Sequence, residues 1–294
     1  MSSAPDLGFR FGTRKESAEG TRYEIEIPED SPAFRGHFPG RPILPGVAQL
    51  ALVEQGLAAL AGRPQRIAEI SGVRLRKTVG PGETLELLLR NPTEDGGVRF
   101  EIRTHGEPGE PVSGGLVRAA APGKPDGSER KEKAPGGKKE TGGLTLPAAV
   151  PTESEEEEIE AAGRVPHAPP ALLVARLVWR RRGEARAEGI VPAESPFASG
   201  GSAPAFLGLE VAAQTAALLE ALGREGEAPG PRAGYLVAIR HARCPGEDLP
   251  VGVPLDAFVK ETGSATPLTI YEVRVELAGR TLVEGSISTW IAEG

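Results

Sequence analysis

The sequence predicts an α+β protein made of two similar domains, and three observations support this fold class. The chain has 294 residues, which is more than one compact domain of roughly 100–200 residues usually holds. A segment rich in Gly, Pro, Lys and Glu, residues 121–163, divides it. On both sides of this segment the same order of predicted elements recurs, which is typical of an internal duplication. We therefore predict domains at residues 1–120 and 164–294.

Each domain combines one long apolar helix with several strands. In the first domain, residues 47–60 are apolar nearly all round, which predicts a helix enclosed by more than one sheet face. Strands are indicated by alternating or β-branched residues at 23–27, 69–79, 84–90, 98–104 and 112–117. The second domain repeats this order, with a helix at 205–222 and strands at 173–180, 185–190, 234–240, 255–261, 268–276 and 281–291.

Residues 121–163 have too few apolar side chains to offset the entropy lost on ordering, so we expect a disordered linker. As a flexible coil of about 43 residues, it reaches on the order of 35 Å. This reach would allow the two domains to pack side by side.

Composition excludes several classes of function. The net charge is −7 and no large basic block occurs, which argues against a nucleic-acid partner. The single cysteine, Cys244, cannot form an internal disulfide or a metal cluster, and we expect it to be structural. The N-terminus lacks signal-peptide features, and no run approaches the roughly 18 apolar residues of a membrane span. We expect a cytoplasmic protein without a metal or cofactor.

The loop–helix junctions of the two domains align without gaps at an offset of 159 residues. Identical residues pair across this offset, namely Phe38 with Phe197, Pro45 with Pro204, Leu50 with Leu209 and Gln55 with Gln214. In the same register His37 aligns with Pro196, and Ala51 aligns with Glu210. Each domain therefore carries one ionisable group that the other lacks.

Two motifs of the first domain resemble a known family. Residues 36–47, GHFPGRPILPGV, resemble the active-site loop of the 3-hydroxyacyl-acyl-carrier-protein dehydratases, and residues 73–83 resemble their next strand and turn. In the second domain, residues 166–173 resemble the opening segment of the same family, and residues 208–214 resemble its helix with the acidic residue. Together the domains resemble, in fused form, the paired dehydratase subunits of aryl polyene biosynthesis.

This resemblance implies a double hot-dog fold, in which two antiparallel sheets each wrap around a long central helix and pack as a pseudo-dimer. It also implies one composite active site per chain, formed by His37 and Glu210. The mirror-image position retains only Pro196 and Ala51, so it should be inactive. The implied substrate is a 3-hydroxyacyl thioester carried by acyl carrier protein or coenzyme A.

The elimination of water requires a base for the carbon proton and an acid for the departing hydroxyl. Neutral His37 would be the base, since an ordinary pKa near 6.5 leaves much of it unprotonated. Glu210 lies among apolar residues, where desolvation should favour the protonated acid.

Four further residues are assigned to the substrate site. Backbone N–H groups of the first helical turn, at Gly46 and Val47, would stabilise the thioester oxyanion, and Gly46 would let the thioester approach the backbone closely. By resemblance alone, the carbonyl of Ile43 would orient the His37 ring, and Gln214 would fix polar groups one turn beyond Glu210.

Other ionisable residues receive less specific interpretations. We expect His167 to be structural, His105 and His241 to be ordinary polar residues, and Glu54 to be solvated or to cap a backbone group. Basic side chains on the two equivalent strands would form either a docking patch for an acidic carrier protein or a solvated face; these are Arg74, Arg76, Lys77, Arg240 and Arg243.

Two alternative functions remain open. A hot-dog thioesterase would use the carboxylate to activate water, although hydrolysis does not need a carbon-proton base. A non-catalytic acyl-binding or scaffolding subunit would explain the degenerate positions Pro196 and Ala51.

Overall fold

The computed structural model describes residues 5–106, 108–120, 158–224, 234–245 and 247–291. The first half contains β1 (Arg10–Ser17), β2 (Gly20–Glu26), α1 (Gly46–Ala61), β3 (Ile67–Leu75), β4 (Thr84–Arg90), β5 (Gly97–Thr104) and β6 (Pro111–Ala119). The second half contains β7 (Ile159–Glu160), β8 (Val174–Arg181), β9 (Glu184–Gly189), β10 (Ser202–Ala203), α2 (Gly208–Gly223), β11 (Gly234–Arg243), β12 (Leu249–Pro250), β13 (Leu255–Ala265), β14 (Leu268–Leu277) and β15 (Arg280–Ile291).

Thirteen of the described strands form one antiparallel sheet. Its order is β1-β2-β4-β5-β6-β3-β11-β15-β14-β13-β9-β8-β7. Counted outward from the centre, the first half contributes β3, β6, β5, β4, β2 and β1, and the second half contributes β11, β15, β14, β13, β9 and β8 in the equivalent places. The duplication predicted from the sequence is therefore present in the strand order.

The resemblance implied one sheet for each half, and in the structure the strands of the two halves are joined into one continuous sheet. The central strands β3 and β11 pair antiparallel, with Val73 opposite Ile239 and Ile70 opposite Ala242. The backbone groups of these two strands, which would form free edges in isolated domains, are satisfied by each other. One apolar core cluster accordingly extends through both halves.

Both helices lie in this core. α1 buries residues from Val47 to Leu57 and packs on β4, whereas α2 contacts β8, β9, β13, β14 and β15. Both helices bury a carboxylate, Glu54 in α1 and Glu210 in α2. The stretch Ala205–Gly223 is long and apolar enough by composition to cross a membrane, contrary to the expectation from sequence, but 72% of the tested window is buried inside the protein. We interpret it as a core helix.

The second half begins earlier than its composition indicates. Residues 121–157 of the predicted linker lie outside the described residues, but residues 158–163 are described. β7 pairs with β8 through Ile159 opposite Leu177, and Ile159 and Ala161 are buried in the core. These two apolar side chains come directly after residues 155–158, which are all Glu, so the average composition did not separate them from the linker.

The remaining predicted strands and helices are present, with shifts of a few residues at their ends. β1 was missed because its residues are almost all exposed and many are charged, so no apolar alternation marks it. Such a composition is common for an edge strand.

Candidate active site

The loop before α1 places His37 by two hydrogen bonds to one residue. The Ile43 N–H donates to the His37 carbonyl at 2.9 Å, and His37 Nδ1 lies 2.8 Å from the Ile43 carbonyl oxygen. A carbonyl only accepts, so Nδ1 carries the proton. In the neutral ring, Nε2 is then left with a free lone pair.

The loop also contacts the second half directly. Ala168 N–H donates to the Gly36 carbonyl at 3.0 Å. Gly36 has φ +78°, and a Cβ there would stand 2.0 Å from the Ala168 carbonyl oxygen. Only glycine tolerates this close approach. The crossing of the two segments brings His37 and His167 together, with ring centroids 5.1 Å apart.

Glu210 projects from the first turn of α2 towards both histidines. Its Oε1 lies 3.2 Å from His167 Nε2. One ring nitrogen of His37, one ring nitrogen of His167 and a carboxylate oxygen of Glu210 all lie within 4.8 Å of one another. All three side chains are buried. The structure therefore brings together His37 and Glu210, which the resemblance assigned to one site, and it adds His167.

Gln214 holds the carboxylate from one helical turn further on. Its Nε2 donates to Glu210 Oε1 at 3.1 Å and to the Ala171 carbonyl at 2.8 Å, while its Oε1 accepts from Leu173 N–H at 2.8 Å. Gln214 is fully buried and does not line the cavity. It fixes Glu210 relative to the segment that carries His167.

Electrostatics in this group differ from the prediction for Glu210. Burial would raise the pKa of Glu210, but the hydrogen bond and charge of His167, together with His37 and Gln214, outweigh it and lower the pKa. The expectation of a simply protonated carboxyl group is therefore wrong, because sequence reasoning did not place an imidazole beside it. Burial lowers the pKa of His37, which keeps its ring neutral near pH 7, and this effect outweighs the opposing charge of Glu210.

These three groups line a cavity of about 540 Å³ between the halves. Its exposed lining residues, which mark the opening, are Arg41, Arg76, Lys77 and Thr78. The interior is mostly apolar and aromatic, with Phe38, Leu44, Leu75, Ala213, Ala217, Tyr235, Leu236 and Trp290. An acyl chain of an amphipathic thioester fits such a lining.

Gly46 and Val47, the first two residues of α1, line different spaces. Gly46 lines the cavity, and a Cβ there would meet the end of the Leu75 side chain, Cδ1, at 2.5 Å, so a larger residue would require Leu75 to move. Val47 is fully buried and lines only a small second void, whose walls also include His37, Glu210 and Pro196. The Val47 side chain therefore does not contact the main cavity, and only its backbone N–H, which has no intrahelical acceptor, is suited to the predicted role.

The three donor groups could also ligate a divalent cation, since imidazole and carboxylate are zinc ligands. However, His167 Nε2 and Glu210 Oε1 already contact each other at 3.2 Å. This pairing matches a proton-transfer group better than a metal centre.

The helix α1 carries a buried carboxylate with charged neighbours one turn beyond Ala51. Glu54, which the alignment pairs with the cavity-lining Ala213, is buried and accepts from Ile67 N–H at 2.9 Å. Arg66 lies 3.8 Å from Glu54 and 2.7 Å from Asp248. Glu54 therefore does cap a backbone group, as one prediction had it, but it is not solvated. Ala51 beside it offers no ionisable group.

Burial of Glu54 gives a pH-dependent stability. Desolvation raises its pKa from 4.5 to about 7, against the Ile67 hydrogen bond and Arg66. Because the folded pKa lies above the unfolded one, this contribution to stability is full below pH 4.5 and is lost as the pH rises through 7. At about 1.4 kcal/mol per pKa unit, the loss amounts to at most about 3 kcal/mol.

We therefore expect Glu54→Gln to gain stability over the wild type as the pH rises from 5 to 8. Urea unfolding at both pH values measures the difference in the free energy of unfolding. Glu94→Gln, at an exposed position, should show no such trend. An equal effect of Glu54→Gln at pH 5 and pH 8 would contradict the assignment.

The other singled-out residues lie outside the cavity or at its rim. His105 and His241 are exposed, and Cys244 is buried, where desolvation first and Glu54 second raise the pKa of its thiol to about 12. Of the five basic residues, Arg76 and Lys77 line the cavity opening, and Lys77 also pairs with Glu110. Arg74, Arg240 and Arg243 are exposed on the paired strands β3 and β11.

Family models match the two halves separately. Residues 13–115 match the ApeI-like family, described as ApeI dehydratase, and residues 159–293 match the ApeP-like family, described as ApeP dehydratase.

Curated relatives match over a shorter region. The 3-hydroxyacyl-[acyl-carrier-protein] dehydratase FabZ of Thermomicrobium roseum is 46% identical over 65 residues, which cover 20% of this chain and 44% of that protein. The protein of the same name from Roseiflexus sp. is 47% identical over 66 residues, covering 20% and 46%. The chain thus spans about half the length of the curated relatives it matches.

Solved structures share the fold over nearly the whole chain. The dehydratase domain of RzxB from Pseudomonas fluorescens has a TM-score of 0.67 at 15% identity, covering 97% of this chain and 98% of its own. The dehydratase domain of the polyketide PpsC from Mycobacterium tuberculosis has a TM-score of 0.64 at 16% identity, with the same coverage. By the two family models, the first half of the chain belongs to the ApeI-like dehydratases and the second half to the ApeP-like dehydratases.

Proposed function

We propose that the protein is a 3-hydroxyacyl thioester dehydratase that forms a trans-2-enoyl thioester. The observation that carries this proposal is the convergence of His37, His167 and Glu210 from two halves on one largely apolar cavity. We also propose that the chain is a double hot-dog of two domains, residues 1–120 and the second half from residue 158, working as an intrachain pseudo-dimer.

His37 is the base in this proposal. Its Nε2 accepts the proton from the carbon next to the thioester carbonyl while Nδ1 donates to Ile43. The first-turn N–H groups of Gly46 and Val47 stabilise the charge that develops on the carbonyl oxygen.

The acid is the Glu210–His167 pair. A proton shared across the 3.2 Å contact passes to the departing hydroxyl, which leaves as water. The carbon–oxygen bond breaks with its electrons on oxygen, and the carbanion electrons form the new double bond. Gln214 keeps Glu210 aimed at the cavity.

The substrate carries a phosphopantetheine group, whether attached to acyl carrier protein or to coenzyme A. A cationic rim of Arg41, Arg76 and Lys77 suits its phosphate. One solved relative is the PpsC dehydratase domain in complex with C12:1-CoA. We favour a carrier-protein substrate in a cytoplasmic fatty-acid or polyene-type pathway, because the matched curated relatives are acyl-carrier-protein dehydratases.

Thioester hydrolysis is the alternative that one observation favours. A lowered pKa keeps Glu210 ionised, and a carboxylate can activate water. Incubation with a 3-hydroxyacyl thioester separates the two functions, since dehydration yields an enoyl thioester and hydrolysis yields a free acid. Formation of free acid without enoyl product would overturn the dehydratase proposal, and the absence of both products would favour an acyl-binding subunit.

In this proposal His167 shares the transferred proton with Glu210, so its ring has a measurable effect on the pH dependence of the reaction. His167→Gln keeps a hydrogen-bond donor for Glu210 but removes the titratable ring, so the carboxyl group alone must hold the proton. Because carboxyl groups ordinarily lose their proton at lower pH than imidazole, we expect the alkaline limb of kcat/KM to move to lower pH. We also expect kcat to fall about tenfold or more. A pH-rate profile checks both, and an unshifted profile would show that His167 only packs.

A further inference from the structure

One face of α2 follows the cavity inward from the acid group. Glu210, Ala213, Ala217 and Glu220 all line the cavity, at helical spacings of three and four residues. At 1.5 Å per residue, Glu220 lies about 15 Å along the helix from Glu210. The two alanines between them leave room for a chain to run along the helix.

Glu220 is held firmly at the far end of this face. Its Oε1 accepts from the Tyr271 hydroxyl of β14 at 2.8 Å and from Thr289 Oγ1 of β15 at 3.2 Å. Thr289 lines the cavity as well. The carboxyl group is partly buried, and desolvation raises its pKa despite these hydrogen bonds.

A second depression lies on the other side of Glu220. It measures about 630 Å³ and is lined by Arg180, Arg181, Arg182, Leu219 and Tyr271, together with Glu220 itself. Glu220 therefore belongs to the walls of both spaces. Its side chain and its two hydrogen-bond donors stand between the apolar cavity and an arginine-lined surface cleft.

We propose that Glu220 is a specificity-determining residue that closes the acyl cavity and sets the longest chain the site accepts. This inference rests on the proposed function. A longer chain would have to displace the carboxyl group from both donors and leave the Tyr271 hydroxyl without a partner, which is costly for a buried group. With the Glu220 side chain removed, the cavity would open into the arginine-lined cleft.

The test is a series of 3-hydroxyacyl thioesters that lengthen by two carbons. For the wild type, we expect kcat/KM to fall sharply beyond one length. Glu220→Ala should move that limit to longer chains and raise the ratio of kcat/KM for the longest to the shortest substrate at least tenfold. Glu220→Gln keeps the bulk and an acceptor for Tyr271, so it should retain the wild-type limit. An identical profile for Glu220→Ala, or a wild type without a limit, would overturn the inference.

A second variant guards against a folding defect in Glu220→Ala. Tyr271→Phe removes one of the two hydrogen bonds and leaves the cavity walls intact, so it should shift the limit in the same direction by a smaller amount. If Glu220→Ala does not fold, an unchanged limit in Tyr271→Phe decides against the proposal.

Binding measurements separate this inference from the proposed reaction. Saturated acyl-coenzyme A thioesters lack the 3-hydroxyl and cannot be dehydrated, so calorimetric titration with the same chain lengths reports the cavity alone. A shifted length limit for binding in Glu220→Ala, with no dehydration by any variant, would uphold the inference and overturn the dehydratase function. Dehydration by the wild type, with the same chain-length limit for binding in Glu220→Ala as in the wild type, would uphold the dehydratase function and overturn the inference.

Discussion

Substitution of His37 by alanine is expected to lower kcat/KM for dehydration by about 100- to 10,000-fold, the usual contribution of a positioned general base. The reason is that Nε2 of the neutral, Ile43-oriented ring is the group proposed to accept the carbon proton. Enoyl thioester formation from a 3-hydroxyacyl thioester measures the loss. Hydration of the enoyl thioester should fall equally, because both directions share one transition state.

The matched control for His37→Ala is His105→Ala, because His105 is an exposed histidine of the same half. It should retain wild-type kcat/KM. Burial lowers the pKa of His37, so the wild type should remain active below pH 6.5, with its acid limb at lower pH than an exposed histidine would give. Activity of His37→Ala within threefold of the wild type would rule out the base assignment.

Glu210→Gln is expected to reduce kcat/KM by a similar 100- to 10,000-fold. Glutamine keeps the size of the side chain and can still accept from His167 and Gln214, but it cannot hold or pass a proton to the departing hydroxyl. The loss should therefore appear mainly in kcat, with the fold intact. Circular dichroism and thermal unfolding test whether the fold of the variant is intact.

Glu54→Gln is the control for Glu210→Gln, because Glu54 is the buried carboxylate of the equivalent helix α1. It should leave dehydration near the wild-type rate while changing stability with pH. The double variant His37→Ala/Glu210→Gln adds a further check, since groups that act in one step are strongly non-additive. If the loss of kcat/KM in the double variant equals the product of the two single losses, the two residues act independently, which would contradict a composite site.

Much of the fold was accessible from sequence because its signals are local. The apolar run of residues 47–60 predicts α1 to within one residue at each end, and Gly62, whose φ is +65°, follows the last helical residue. The pairing of β3 with β11 has no comparable local signal in the sequence. A strand that pairs with another half and a strand at a free edge can have the same alternation, so only the three-dimensional structure distinguishes them.

The pairing of His37 with Glu210 was predicted, whereas the place of His167 was not. His167 lies in residues 166–173, the segment that resembles the opening of the same family, and this signal was available. Its significance depends on the crossing of Gly36 and Ala168, a long-range contact that no local pattern encodes. The lowered pKa of Glu210 was missed for the same reason.

The antiparallel pairing of β3 with β11 has a consequence for how such a protein must be assembled. If each half were a separate chain, self-association through this strand would set His37 opposite Ala51, or Glu210 opposite Pro196, and neither homodimer would hold both a base and an acid. Joining the halves in one polypeptide raises the effective concentration of each half for the other. The pairing of unlike halves is then favoured over both inactive homodimers. Covalent continuity here selects the one combination of halves that is chemically complete.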